Sequence, residues 1–424
     1  MGHLRGIFFF FLGLQIFVFA KSLEVQIETP HAILINAKTG HVLFDKKSRE
    51  SIYPASTTKI ASVLYLLKNA GDRLDEVVVC SDDALRIVSE EVKIAKGDLL
   101  PPYILELDGT SMKLKRNEKV VLKDLLYGML LASGNDASNV AAEYLSGDVQ
   151  TFVRNMNQMS ESLGCKNTHF TNPHGLFHPD HKTCAYDMAI LTREALNYPL
   201  FREMVKTTVY KRDKRVFTQN NALLKPDSKY YYPLAFGIKT GYVRKAKYNL
   251  VAGASNSERE LIAVLHKSPT STQRYIDAIV LFEAAFCEPL NQRLMFSKEE
   301  TSFEKVIPKA NKSVIAIIKE DLYLKYYPSE EEEVIAKLDW QELQLPIEKG
   351  SLVAKLSLLA KRDGRLLAVE ELLAKDLVSK KLIYRMLDGT KGYFLPLILP
   401  LLLIGLGVGF VLLVKGRDEE SRPT

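Results

Sequence analysis

The sequence predicts an α/β (α+β) unit built on one sheet, followed by a small β-rich domain and one apolar C-terminal span. Three observations carry that prediction. Strand patterns stand at both ends of the region 23 to 290 with helical patterns between them, so one sheet is assembled from distant segments and the helices pack against it. Further on, Asp363-Gly364 lies between two apolar runs, a strong hairpin signal. Near the end, Gly392 to Val414 contains no charged residue. A chain of 424 residues is also too long for one ordinary core, which favours two folded units plus appendages.

In chain order, Val25-Gln26-Ile27 and Ala32 to Ile35 read as strands. A turn at Asn36 to Gly40 leads to a partner strand at His41 to Phe44. Pro54 and Ala55 break the strand pattern, and Ser56 opens a helix that runs through Leu67 and stops at Gly71. Helical spacing recurs at Leu122 to Leu131, Ala137 to Leu145, Val153 to Leu163 and Tyr186 to Leu196. Strands return at Pro233 to Lys239, Asn249 to Ala254 and Leu261 to His266, and a closing helix fits Arg274 to Phe286. The polar stretch 295 to 308 suits a linker. Residues 309 to 390 read as the β-rich domain, with Ser313 to Tyr327 alternating and Leu352 to Ala360 facing Arg365 to Val369 across the hairpin. The acidic run Glu330 to Glu333 reads as a solvated loop. No tandem repeat of solenoid period is present.

The two termini imply export and a membrane tether. Residues 1 to 20 carry His3 and Arg5 and then the apolar stretch Ile7 to Ala20, with small residues at the last and third-last positions before Lys21, as at a signal peptidase site. The rival, a retained N-terminal anchor, suffers from the shortness of that run. The 23 residues from Gly392 to Val414, at about 1.5 Å rise each, would cross the hydrocarbon layer, with Pro396 and Pro400 bending the helix near one end. The basic residues Lys415 and Arg417 then place the tail, 415 to 424, in the cytoplasm. Gly405 and Gly409 form a G-x-x-x-G pair, a weak signal for a homodimer through the transmembrane helix.

A net charge of +6 is small for this length, and no basic run or interleaved aromatic platform argues for nucleic acid. The four cysteines, Cys80, Cys165, Cys184 and Cys287, show no C-x-x-C spacing. Export would permit a disulfide, with Cys165 and Cys184 the first pair to test, and buried free thiols are the alternative.

The chemistry lies in three motifs, in the order Ser56-Thr57-Thr58-Lys59, Ser133-Gly134-Asn135 and Lys239-Thr240-Gly241. A serine hydroxyl is a weak nucleophile and needs a base beside it. Ser56 at a helix N-terminus gains from the dipole and the unpaired N–H groups there, and Lys59, three residues on, shares its face. For Lys59 to act as a base it must be partly neutral, which burial and a second cation, Lys239, would favour. Ser133 and Asn135 would line the opposite wall, Ser133 passing a proton to the leaving amine and Asn135 binding peptide backbone. Lys239 and Thr240 would grip a carboxylate, and Gly241 would let substrate approach the strand edge. The chain carries its own controls. Ser302-Phe303-Glu304-Lys305 is also S-x-x-K but sits in the polar stretch, and Lys38-Thr39-Gly40 is also K-T-G but precedes the serine at a hairpin tip.

S-x-x-K, S-x-N and K-T-G together are the signature of penicillin-binding proteins and class A β-lactamases. With Tyr53 to Lys59, Ala132 to Ala137, Asn172-Pro173-His174-Gly175-Leu176, Gly237 to Gly241 and Leu250-Val251-Ala252, the chain resembles the low-molecular-mass penicillin-binding proteins of the D-alanyl-D-alanine carboxypeptidase type over about residues 23 to 290. The resemblance implies a penicillin-binding/β-lactamase-like domain with a central antiparallel sheet flanked by helices. It implies Ser56 as the acylated nucleophile, Lys59 as its base, Ser133 as proton relay, Lys239 as carboxylate binder, and an oxyanion hole from the backbone N–H groups of Ser56 and Tyr242. The substrate implied is the D-Ala-D-Ala end of peptidoglycan stem peptides, with β-lactams as covalent mimics and no cofactor or metal. The enzyme would sit as a single-pass protein of the inner (cytoplasmic) membrane with its catalytic domain, 21 to 294, on the periplasmic side.

Two departures stand out. Family members follow K-T-G with a residue, then Thr, and later Ala-Gly, whereas this chain has Tyr242-Val243-Arg244-Lys245-Ala246-Lys247. Related enzymes often anchor through an amphipathic C-terminal helix, whereas this one reads as spanning. His169, His174, His178 and His181 crowd into thirteen residues, but no H-x-x-x-H spacing favours zinc and His174 sits in a Pro-Gly turn, so the cluster reads as a loop beside the site. Two other functions compete. A β-lactamase would need a deacylating Glu, for which Glu194-Ala195-Leu196-Asn197 is a poor match, and a non-catalytic β-lactam or muropeptide sensor would have to signal through a ten-residue tail.

Overall fold

The computed structural model describes residues 21–212 and 214–389. The expected signal segment 1 to 20, the apolar span 392 to 414 with Gly405 and Gly409, and the tail 415 to 424 lie outside the described residues. The described chain forms two compact units, one of residues up to Leu290 together with Tyr327–Glu331, the other of Asn291–Tyr326 and the residues from Glu332 onward.

The first unit is organised by a five-stranded antiparallel sheet. Its strands are β1 (His31–Asn36), β2 (Val42–Lys46), β3 (Ala235–Val243), β4 (Lys247–Ser255) and β5 (Glu260–Ser268), in the spatial order β2-β1-β5-β4-β3. Chain ends therefore meet in the middle, where Ile33 faces Val264 and Ile35 faces Ile262. Both sheet faces are covered, which explains the unbroken apolar runs. Alternation sorts the side chains: Ile33, Ile35, Ile262 and Val264 enter one core, while Ala32, Leu34, Leu261, Ala263 and Leu265 enter the other.

The larger core holds helices α1 (Thr58–Ala70), α2 (Leu122–Leu130), α3 (Asn135–Ser146), α4 (Val149–Ser162) and α5 (Ala185–Ala195). α1 is buried nearly all round and ends at Gly71, whose φ of 55° suits a residue without Cβ. The smaller core packs α6 (Gln273–Phe286) on the opposite face through Tyr275, Leu281 and Phe282. Each helix expected between residues 23 and 290 is thus present to within a few residues.

Three expectations need correction, and one alternative left open by the sequence is decided. Val25 to Ile27 forms no ladder strand; neighbouring backbone groups are held singly, Leu23 N–H by Leu43 O and Thr29 N–H by the Asp277 carboxylate. The stretch 295 to 308 is not bare linker, because strands Asn291–Phe296 and Ser302–Lys305 overlap or fill it. Glu330 is not solvated, since its carboxylate meets the buried Arg259 guanidinium, which also binds Glu288 at 3.0 Å. A charge run hides such a contact because its partner is far away in sequence. The cysteines are free thiols, with Cys165 and Cys184 buried and no disulfide among the described residues.

The second unit is β-rich. A five-stranded sheet runs Ser302–Lys305, Val314–Ile317, Leu366–Ala374, Leu352–Ala360, Val334–Trp340 in spatial order. The hairpin at Asp363-Gly364 turns with Gly364 at φ 71°, and the Asp363 carboxylate accepts the Arg365 N–H at 3.1 Å. Among the described residues no helix is long and apolar enough to cross a membrane.

Candidate active site

The segment that carries Ser56 is a tight corner. A 3₁₀ turn, Ala55–Thr57, precedes α1, and Ala55 adopts a left-handed φ of 51°, a strained setting of the kind found at functional sites. Several groups hold the corner. On β4, the Asn249 amide donates to Tyr53 O and Pro54 O, both at 2.9 Å, while its oxygen accepts Lys267 N–H at 2.8 Å. Thr58 Oγ1 donates to Ala55 O at 2.8 Å. His181 Nδ1 accepts the Thr171 N–H, so its Nε2 carries the proton facing Thr58 Oγ1 at 2.9 Å.

Lys59 Nζ lies 3.2 Å from Ser56 Oγ, 2.7 Å from Asn135 Oδ1 and 2.8 Å from His174 O. Its side chain is fully buried. Burial holds its pKa well below the ordinary lysine range, the charge of Lys239 pushes the same way, and Asp136 opposes them. Asn135 thus faces the Lys59 amine, a contact beyond the backbone-binding role its motif suggests.

Ser133, at the end of the loop before α3, takes a left-handed φ of 59°. Its hydroxyl accepts from Lys239 Nζ at 3.0 Å, and its carbonyl accepts from Thr110 Oγ1 at 2.6 Å. Asp136 fixes the facing loop by accepting from Ser111 Oγ and from the N–H groups of Met112 and Leu114.

The edge strand β3 supplies the third motif. Lys239 is buried and its pKa is drawn down to about 7 by burial and then by the Arg274 charge. Arg274, on α6, donates to Asn249 O at 2.9 Å and Gly241 O at 3.4 Å, adding positive potential behind the strand. Thr240 is half-buried beside Lys239, and Tyr242 is exposed. A Cβ at Gly241 would sit 3.0 Å from Ser56 N and 3.2 Å from Thr57 N. Gly241 is therefore needed first for the close approach of β3 to the nucleophile corner.

All three motifs converge, whereas the decoys do not: Lys38-Thr39-Gly40 caps the β1–β2 hairpin, and Ser302 to Lys305 is a strand. Sequence reasoning missed Asn249, Arg274, Asp136 and His181 as parts of the site. Asn249 and Asp136 lay inside or beside recognised segments, while Arg274 read only as a helix start and gave no signal of its own. Of the four clustered histidines, His174 and His181 are buried and hydrogen-bonded, His174 Nε2 meeting Tyr103 O at 3.1 Å. No group of three metal-ligating side chains comes together among the described residues.

The peptidase S11 family, described as D-alanyl-D-alanine carboxypeptidase, matches residues 18–270. The chain is 31% identical to D-alanyl-D-alanine carboxypeptidase DacF of Bacillus subtilis over 398 residues, which covers 90% of this chain and 96% of that protein. It is 29% identical to DacA of Haemophilus influenzae, covering 78% and 81%. Among solved structures, penicillin binding protein 5 from Haemophilus influenzae matches with a TM-score of 0.57 at 27% identity, covering 84% of this chain and 99% of that one. The Streptomyces K15 DD-transpeptidase matches with a TM-score of 0.54 at 25% identity, covering 62% and 98%. With its three motifs gathered on a penicillin-binding-protein fold and the family match spanning more than half its length, this chain belongs to the D-alanyl-D-alanine carboxypeptidase family of serine peptidases.

Proposed function

We propose that this protein is a serine D-alanyl-D-alanine carboxypeptidase that removes the terminal D-alanine from peptidoglycan stem peptides through an acyl-enzyme on Ser56, and that β-lactams acylate the same oxygen. The observation that carries the reading is the surroundings of Lys59 Nζ. A neutral amine has two N–H donors and one lone pair. Asn135 Oδ1 and His174 O take the donors, so the lone pair is left for the Ser56 O–H at 3.2 Å.

In this mechanism Ser56 Oγ attacks the carbonyl carbon between the two D-alanines as its proton passes to Lys59. The backbone N–H groups of Ser56 and Tyr242 stabilise the oxyanion. Collapse expels the D-alanine amine, which receives, relayed through Ser133, the proton that Lys59 took from Ser56, so that Lys59 is neutral again; Ser133 is held for this by Lys239 Nζ. Lys239 and Thr240 hold the terminal carboxylate, with Gly241 keeping the strand close and Asn135 orienting both base and substrate. Water, deprotonated by Lys59, then cleaves the ester and restores both groups.

The localisation belongs to the same reading and rests on the sequence alone: export by residues 1 to 20, a catalytic unit outside the inner membrane, the β-rich unit, the span 392 to 414 and a short cytoplasmic tail. A homodimer through Gly405 and Gly409 is the oligomeric form it allows. A β-lactamase fits less well, because Glu194 closes α5 and accepts a bond from Asn197 at 3.1 Å. The test is the full-length chain with a D-Ala-D-Ala peptide and, separately, benzylpenicillin. Wild type should release D-alanine and gain one stable adduct on the Ser56 peptide; undiminished release by Ser56→Ala would refute the mechanism.

A further inference from the structure

The turn that joins β3 to β4 departs from the family pattern, and its geometry gives that departure a use. Ala246 N–H bonds Val243 O at 2.9 Å, closing the turn, and Lys247 follows with a left-handed φ of 56°. Three-residue hairpin loops of this kind ordinarily put glycine at that left-handed position. Here a lysine takes it, and Lys47, Lys113, Lys267 and Lys309 are left-handed elsewhere in the chain, so the left-handed φ places the Lys247 side chain without by itself marking a site. Arg244, Lys245 and Lys247 all project into solvent, and none forms an ion pair among the described residues. Beside them the rings of Tyr242 and Tyr248, a directly facing pair, lie 4.7 Å apart, and Tyr242 is 55% exposed.

Direction along β3 decides what meets this turn. If Lys239 and Thr240 hold the substrate's terminal carboxylate and the Tyr242 N–H meets the scissile carbonyl, the peptide upstream of that bond continues past Tyr242 toward residues 243 to 247. β3 is the sheet's edge strand, so its outer side has no neighbouring strand in that sheet to block the path. We propose that Arg244, Lys245 and Lys247, with the Tyr242–Tyr248 ring pair, form an upstream subsite that selects stem peptides bearing a free carboxylate on the residue before the D-Ala-D-Ala pair. This inference rests on the carboxypeptidase reading above and adds substrate selectivity to it.

The test uses the full-length chain and two peptides ending in D-Ala-D-Ala, identical except that the preceding residue carries either a free side-chain carboxylate or its amide. Wild type should favour the acidic peptide by roughly tenfold in kcat/KM, expressed mainly in KM, as one charge-assisted contact allows. The triple variant Arg244→Ala, Lys245→Ala, Lys247→Gly should lose that preference. Lys247→Gly alone relieves the backbone strain, so it should fold at least as well and still lose part of the preference. Equal use of both peptides by wild type, or a preference that survives in the triple variant, overturns the subsite. Benzylpenicillin labelling keeps the two levels apart: a labelled Ser56 with no selectivity rejects the subsite alone, whereas an unlabelled Ser56 rejects the reading beneath it.

Discussion

At the scale of single residues, the proposed mechanism divides the work between two buried lysines by charge. Burial and the charge of Lys239 both lower the pKa of Lys59, which favours the neutral amine that the proposed attack by Ser56 requires. Lys239, with a pKa of about 7, must be protonated to hold a carboxylate. Deprotonation above that value removes the carboxylate's counter-charge. The value of kcat/KM for a peptide substrate should therefore fall as pH rises through about 7, by up to about tenfold per unit, because only the protonated fraction binds. A pH–rate profile flat from 6 to 9 would contradict this. Gly241 offers a second test. Gly241→Ala puts a methyl 3.0 Å from Ser56 N, crowding the oxyanion donor, and should slow benzylpenicillin acylation by about 10²-fold or more with the fold retained by circular dichroism.

At the scale of elements, the site depends on how the sheet grips the start of α1. Asn249 ties β4 to the Tyr53 and Pro54 carbonyls and spends its remaining oxygen on Lys267 N–H. Asn249→Ala leaves Tyr53 O and Lys267 N–H without this partner, while Pro54 O keeps Thr57 Oγ1 at 2.8 Å, and should destabilise the fold by about 1–3 kcal/mol. It should also slow acylation, because the left-handed Ala55 would lose a support. Loss of stability without any change in acylation rate would show that the corner holds its shape without Asn249. Within α1, Leu64 is fully buried in the larger core, so Leu64→Ala should cost about 2–5 kcal/mol by urea unfolding.

At the scale of the whole molecule, the active-site charges work against folding. Lys239 has a folded pKa of about 7 against an unfolded value near 10.4, so between those values the unfolded chain binds more protons and stability rises with pH. Lys239→Met, which removes that term, should raise the urea midpoint at pH 7 while abolishing peptidase activity; a lower midpoint would argue against the burial penalty. Arg259 is the opposite case. Only 2% of its side chain is exposed, it has two carboxylate partners, and its guanidinium lies 4.1 Å from the Tyr327 ring centroid. Arg259→Ala would strand two acidic groups and should destabilise by about 3–5 kcal/mol.

The sequence by itself determined the parts whose physics is local. Helix and strand periodicity marked α1 to α6 and all five sheet strands within a few residues, because one or two buried faces repeat at fixed spacing. The three motifs carried the chemistry because Ser56 and Lys59 are neighbours on one helix turn. Only the tertiary structure decided what depends on contacts between distant segments: that Asn135 and the His174 carbonyl occupy the Lys59 donors, that Arg274 stands behind Lys239, that Gly241 is required by the nearness of Ser56, and that Glu330 meets Arg259 instead of water. Such contacts leave no period and no spacing in the chain, since the partners are joined by packing and not by sequence.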